Sequence, residues 1–182
     1  MGDLLHQTLF EPTTAAPASV LLVHDKHGEV SAAGFAAEVR ALAARLMALG
    51  IQANDRVAVF LPKLPLTAYA FYAVTAAGGV VVPVNPILKP AQVEHILNDC
   101  DVRVLITSAD RLKHLTEILP ACRNLHHVLL ADAPPAEAVA GVPVSAWAPL
   151  GEATPPTVDL PRRVDNDMAA ILYTSGSTGR PK

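Results

Sequence analysis

Aromatic side chains are scarce in this chain: phenylalanine, tryptophan and tyrosine together make up 4% of its 182 residues. A core must therefore be assembled from alanine, valine, leucine and isoleucine. The 51% hydrophobic fraction supplies them, and a chain so apolar is globular rather than disordered. Positive charge is sparse as well. Lys and Arg number 14 against 17 Asp and Glu, the net charge is −3, and no basic stripe or cluster occurs. That argues against nucleic acid as a partner. Cysteine is limited to Cys100 and Cys122, which form no metal-ligand spacing. A cytoplasmic protein with free thiols is the expectation. The start, Met1-Gly2-Asp3-Leu4-Leu5-His6, has no basic n-region and so does not read as a signal peptide. Two glycine-loop patterns are missing too. No Gly is followed, after four intervening residues, by Gly-Lys-Ser/Thr, and no Gly-x-Gly-x-x-Gly occurs.

Charge is absent over one long stretch, from residue 64 to residue 88. Its length suffices to cross a membrane, but Gly78-Gly79, Pro83, Asn85 and Pro86 divide it. The first part, 65–77, reads as a buried helix carrying Tyr69, Phe71, Tyr72 and Val74. The second, 80–84, reads as a strand buried on both faces. No transmembrane segment is expected.

What is present is a regular alternation of element types. A short helix is expected over 3–10, a strand over 20–24, a turn over 25–28, and a second short strand over 29–31 that closes a hairpin. Residues 33–49 carry Phe35, Val39, Leu42, Leu46 and Leu49 at four- and three-residue steps, one apolar helical stripe, and Gly50 ends it. Strands are expected over 56–61, 102–107 and 127–131, and helices over 90–98 and 109–119, the former opened by Pro90. Strand–helix repeats with apolar strands predict an α/β fold, a mainly parallel sheet flanked by helices. Residues 1–131 form the α/β core of this reading. Residues 132–165 hold seven prolines and the only tryptophan, Trp147, and read as a surface connection anchored by Val142, Val144, Trp147 and Leu150. Residues 166–182 are the final strand and a loop, and all three parts are expected to make one domain.

That loop is the most informative segment. The run Met168-Ala169-Ala170-Ile171-Leu172-Tyr173 leads directly into Thr174-Ser175-Gly176-Ser177-Thr178-Gly179-Arg180-Pro181-Lys182. Glycines let backbone N–H groups approach an anion. The hydroxyls of Thr174, Ser175, Ser177 and Thr178 are rotatable donors, and Lys182 is a point charge. The combination describes a polyphosphate site at the end of a strand. Residues 171–182 resemble, at all twelve positions, the signature loop of the adenylate-forming enzymes: AMP-forming acyl-CoA synthetases, luciferases and nonribosomal peptide adenylation domains. Further resemblance lies in residues 50–59, where Asn54 stands in place of the usual Gly. It continues in residues 76–86, whose Asn-Pro ending leans toward acyl- and aryl-CoA synthetases. The helix entry 30–35 is similar as well, with Ala32 in place of an aromatic residue.

The resemblance implies a two-step reaction. A carboxylate attacks the α-phosphate of ATP to give an acyl-adenylate and pyrophosphate, and a thiol of coenzyme A or a carrier protein's pantetheine arm then displaces AMP. It implies that Thr174, Ser175, Gly176, Ser177, Thr178, Gly179 and Lys182 hold the ATP phosphates. It also implies that the adenine pocket, the Mg2+ ligand, the acyl pocket and the remainder of the ligase follow C-terminally, so the isolated chain is expected to be inactive. Which acid is activated is not legible. Two other readings stay open: a non-catalytic nucleotide-binding or interaction module, and an unrelated α/β protein with a convergent loop. Other polar residues carry less. His126-His127 precede a strand, His24 and His27 flank a turn without a third ligand, His95 reads as a surface residue beside Glu94, and Asp99 and Asp101 flank Cys100 with no basic partner nearby. Ser175 lacks the Gly-x-Ser-x-Gly setting of a hydrolase elbow, because Tyr173 occupies the first glycine position.

Overall fold

A computed structural model describes residues 4–10, 16–132, 138–147, 157–174 and 181. These fall into two compact units, one built from Met1–Asn54, Lys63–Gly79 and Pro149–Ala169, the other from Asp55–Pro62, Val80–Ala148 and Ala170–Lys182.

The first unit begins with a helical turn over 7–10, shorter than the helix expected over 3–10. Strands β1 (Val20–His24) and β2 (Gly28–Ser31) form the expected antiparallel hairpin, with His24 opposite Gly28 at its tip. Gly28 takes a positive φ of 73°, the left-handed residue such a turn requires. Helix α1 (Ala32–Ala48) starts where Ser31 Oγ accepts the Gly34 N–H at 3.1 Å. Its Phe35, Val39, Leu42 and Leu46 are buried as the stripe predicts. Gly50, at φ 83°, closes the helix. Its N–H bonds Met47 O at 2.9 Å while the Ile51 N–H bonds Leu46 O at 3.1 Å, the paired bonds of a Schellman end. Helix α2 (Pro65–Ala76) packs its aromatic face on α1: the Phe35 ring meets Tyr69 and Tyr72 edge-on, at centroid distances of 4.9 and 5.6 Å. In a chain so poor in aromatics, three of its rings are spent on this one contact.

The second unit is a six-stranded sheet in the order β4-β3-β5-β6-β8-β7, with β3 (Arg56–Phe60), β4 (Val80–Pro83), β5 (Val102–Thr107), β6 (His127–Leu130), β7 (Ala138–Val139) and β8 (Val142–Ala146). Every pairing from β4 to β8 is parallel, and only β7 runs antiparallel to its neighbour. One register row crosses five strands, Val82–Ala58–Leu105–Val128–Val144. This row joins Val93, Ile96 and Leu97 of helix α3 (Pro90–Asp99) and Leu112 and Leu115 of helix α4 (Ala109–Leu115) in one core. Val57, Val59, Val81, Val104, Ile106 and Leu129, on the other face, are also buried. Strands buried on both faces read as continuous apolar runs rather than alternating ones. The expected α/β class with a mainly parallel sheet is what the chain forms.

Three further expectations need correction. Helix α4 stops at Leu115 rather than Leu119, and a 3-10 turn follows at Leu119–Ala121. Pro120 has no N–H to give to the Thr116 carbonyl and its ring would crowd it, so the α-helix cannot run on through it. The Thr116 hydroxyl also bonds back to the carbonyls of Leu112 and Lys113, as expected at a helix end. Within the proline-rich stretch, β7 and β8 form a hairpin at the sheet edge instead of a plain connection. Pro143 is exposed between buried Val142 and Val144; it sits opposite Ala138 of β7, one residue before the ladder to β6 begins at Val144. Trp147 is buried as expected, while Leu150 lies outside the described residues. The run before the loop is not a full strand. Ala170 makes a single parallel bridge to Val81, and the Ile171 N–H bonds Val81 O at 3.0 Å.

Candidate functional site

Of the residues expected to meet phosphate, only Thr174 is described, and it is exposed. Ser175, Gly176, Ser177, Thr178, Gly179 and Lys182 lie outside the described residues. What the structure gives is the approach to this loop and the residue that follows Arg180. The approach alternates strictly. Met168, Ala170, Leu172 and Thr174 are exposed, while Ile171 and Tyr173 pack against the core of the second unit. This period of two belongs to an extended segment, so the sequence run is correctly extended even though it makes only one bridge.

Tyr173 ends the approach with its hydroxyl between two residues at the end of α3. The hydroxyl hydrogen-bonds the Asp99 carboxylate and lies 3.2 Å from Cys100 Sγ. A carboxylate accepts, so the phenol donates to Asp99 and the thiol is the group left to donate to the phenol oxygen. Burial, then the hydrogen bond to Asp99, pushes the phenol's pKa far above its ordinary value, so Tyr173 remains a donor wherever the protein is folded. Burial likewise raises the Cys100 thiol.

On the far side of the loop, the Pro181 carbonyl accepts from His95 Nε2 at 3.2 Å, and this fixes the proton on that nitrogen. His95 was expected to be a surface residue beside Glu94. It is half-buried and makes a contact with a residue 86 positions away. His95 and Asp99 are one turn apart on α3, so both roots of the loop meet the same helix face. No periodicity in the sequence could have announced these pairings, because each joins residues more than 70 positions apart.

The remaining candidates resolve into structural contacts. The His24 and His27 rings meet at a tilt within the hairpin turn, 4.7 Å apart, and His127 Nε2 meets Ser145 Oγ at 2.7 Å, between β6 and β8. Asp101 has a basic partner after all. Arg56, 45 residues earlier, reaches its carboxylate at 3.7 Å and its carbonyl at 3.1 Å. Beside α3, a cleft of about 610 Å³ is lined in part by His95, Asn98, Asp99 and Arg123. Among the described residues there is no group of three or more metal-ligating side chains, and no helix is long and apolar enough to cross a membrane.

A family model described as "AMP-binding enzyme" matches residues 10–182. An L-proline–[L-prolyl-carrier protein] ligase of Streptomyces coelicolor is 40% identical over 150 residues, 81% of this chain and 28% of that protein. A long-chain-fatty-acid–CoA ligase of Bacillus subtilis is 32% identical over 165 residues, 78% of this chain and 29% of that protein. Among solved structures, an anthranilate CoA ligase in complex with anthranoyl-AMP superposes with a TM-score of 0.85 at 22% identity, over 98% of this chain and 33% of that one. The N-terminal domain of a Mycobacterium tuberculosis protein, FACL13, gives 0.75 at 26% identity, over 100% and 43%. The chain thus spans less than a third of these two curated relatives.

Proposed function

This chain belongs to the AMP-binding enzyme family, and from that premise we propose that it is the N-terminal part of an AMP-forming acid–thiol ligase. Such a ligase activates a carboxylic acid with ATP as acyl-adenylate and passes the acyl group to a thiol of coenzyme A or of a carrier protein. In this reading Thr174, Ser175, Gly176, Ser177, Thr178, Gly179 and Lys182 bind the β- and γ-phosphates. The observation that carries it is the sequence of four hydroxyls, two glycines and a lysine, preceded by an extended segment whose last inward side chain, Tyr173, is fixed by hydrogen bonds.

Attack of the carboxylate on the α-phosphorus breaks the bond to pyrophosphate, and negative charge builds on the leaving group. Oriented N–H and O–H donors and one ammonium group, aimed at that charge beforehand, stabilise the transition state more than the ground state. Hydroxyls and glycine amides supply the donors, and Lys182 supplies the compact cation. Magnesium carried with ATP would neutralise phosphate charge. Its protein ligand, the adenine pocket and the acyl pocket belong in this proposal to the sequence after Lys182.

The proposal is tested by carboxylate-dependent ATP–pyrophosphate exchange. The complete protein is expected to catalyse exchange with at least one acid of an acyl or aryl panel. The isolated 182-residue chain is expected to give no exchange above background. Exchange by the isolated chain would overturn the assignment of the missing parts, and a complete protein that binds ATP but exchanges with no acid would favour a non-catalytic nucleotide-binding module.

A further inference from the structure

Strand β1 carries Val20, Leu21, Leu22 and Val23 in a row, and three of them stand in the open: Val20 is 51% exposed, Leu21 42% and Val23 67%. Among the described residues its only strand partner is β2, so its outer edge holds N–H and C=O groups that no other described strand meets. A solvent-facing edge is ordinarily guarded by charge, by proline or by a bulge. β1 contains no charged residue and no proline, and its register shifts only between Val20 and Leu22, running regularly from Leu22 to His24. The other edge of the hairpin, β2, is guarded: Glu29 is exposed in it, and the strand turns directly into α1. The hairpin is also held in place. The Ala32 N–H bonds Ser19 O at 2.8 Å and the Ala33 N–H bonds Pro17 O at 3.0 Å, tying the start of β1 to the start of α1, and His24 Nε2 meets Lys63 O at 3.3 Å near the tip.

We propose that the outer edge of β1 is a docking site for an extended strand of the same protein, supplied by the sequence beyond Lys182, so that the hairpin becomes part of a larger sheet. The inference rests on the proposed reading of the chain as the N-terminal part of a longer ligase. A hairpin of two strands gains little stability in water, and a third strand with apolar cover changes that. The relatives supply the length for one: this chain spans 28% of the Streptomyces coelicolor ligase and 29% of the Bacillus subtilis ligase. A second copy suits the edge less well. Two five-residue strands meeting across a two-fold axis bury far less than the roughly 800 Å² per partner of a stable interface. A tethered strand arrives at high effective concentration and avoids the entropic cost of bringing two molecules together. The chemistry of the incoming strand follows from β1. Leu22 and Val23 point to opposite faces, so the strand that lies beside them is apolar on both faces, a continuous run rather than an alternating one.

The test is amide hydrogen exchange on the complete protein, resolved to single residues over 20–24, at a high and a low protein concentration. In an antiparallel ladder alternate residues turn their amides toward the partner strand and away from it. Both sets in β1 are expected to exchange at least about a hundredfold more slowly than in an unstructured chain, at either concentration. If the outward set exchanges at the unstructured rate while the inward set is protected, the edge is open and the proposal is overturned. If the outward protection disappears on dilution, the occupant is a second copy and the proposal is overturned as well. Val23→Lys is the second arm. Under a docked strand the added charge is expected to lower the melting temperature of the complete protein by about 2–4 °C or more. On an open surface the lysine would face Glu29 across the hairpin and leave the melting temperature unchanged or slightly raised, which would count against docking. Pyrophosphate exchange by the same protein reports on the ligase reading separately. Exchange together with an open edge sinks the docked strand and leaves the ligase, whereas a protected edge without exchange leaves the docked strand standing.

Discussion

The Tyr173 hydroxyl donates to the Asp99 carboxylate, and so the last inward-facing residue before the glycine- and hydroxyl-rich segment is joined to the last residue of helix α3. Folding has to bring these two together over 74 positions, and nothing local assists it. The pairing also decides the phenol's chemistry. Burial and a neighbouring carboxylate both penalise tyrosinate, so its pKa lies well above the ordinary 10.0.

A pH dependence follows. With the folded value raised, Tyr173 contributes stability that is fully present below the unfolded value of 10.0 and is lost as pH rises above it, because the unfolded chain releases the proton first. Tyr173→Phe should therefore have a flatter stability profile than wild type on the alkaline side of 10.0, and the two profiles should run parallel below it. Urea denaturation across this range measures both. A Tyr173→Phe protein that loses stability just as steeply would mean that the phenol is not held by Asp99 in solution.

Cys122 gives a second, independent pH signal. It is 6% exposed, donates to Ile118 O at 3.3 Å, and is pushed up from 9.0 to about 11 by burial and then by the Glu94 carboxylate. The thiolate is the reactive form, so alkylation of Cys122 in the folded protein should be far slower than in the denatured chain near the ordinary thiol value of 9.0. The rates are obtained by mass spectrometry of quenched time points, with Cys100 replaced by Ser. Labelling at the denatured rate would show that this site opens readily.

Backbone geometry predicts a specific ranking at residue 54. Asn54 has φ 66°, its N–H bonds Gly78 O at 3.0 Å, and its side-chain oxygen accepts from Arg163 Nη2 at 2.8 Å. Arg163 is in turn 3.0 Å from Asp167. Asn54→Ala loses the side-chain bond and puts an unfavourable residue in the left-handed region, together about 2 kcal/mol. Asn54→Gly loses the bond but relieves the backbone, so it should cost about 1 kcal/mol or less. If the two substitutions destabilise equally in urea, the left-handed backbone is not what Asn54 is there to serve.

That residue also marks how far sequence reasoning reached. Where geometry is local, it succeeded: Asn54, standing where the resembling family has Gly, takes a positive φ, Gly50 signalled a helix end, and the stripe from Phe35 to Leu46 signalled a buried face. Where the outcome depends on distant partners, pattern fell silent. Pro143 concealed β8 because a proline is rare inside a sheet, and its place just before the ladder to β6 begins at Val144 is set by partners that pattern does not show. The apolar run before the loop resembled a complete strand, but the number of ladder bonds it makes is set by its neighbours, and it has one bridge, at Ala170. His95 was indistinguishable from any surface histidine until Pro181 was placed against it. The loop's hydroxyls, glycines and lysine suggest a chemistry by residue type alone, whereas the contacts of Tyr173 and Pro181 with α3 have no signature in the sequence.

The decisive prediction concerns Lys182. In the complete protein, Lys182→Ala should slow acyl-adenylate formation by the equivalent of about 2–4 kcal/mol, the range found when one donor to a developing anion is removed. Thr174→Ala and Thr178→Ala should each cost less, about 1 kcal/mol, because hydrogen bonds from neutral groups are weaker than those from cations. The fold should be unaffected in all three. Once the adenylate exists the β- and γ-phosphates are gone, and a residue that held only them has nothing left to hold. Single-turnover measurement of adenylation and of thiol transfer from supplied adenylate therefore reads the role directly. If Lys182→Ala slows thiol transfer as much as adenylation, the lysine acts on the acyl-adenylate itself, and the loop's assignment to the departing pyrophosphate is wrong.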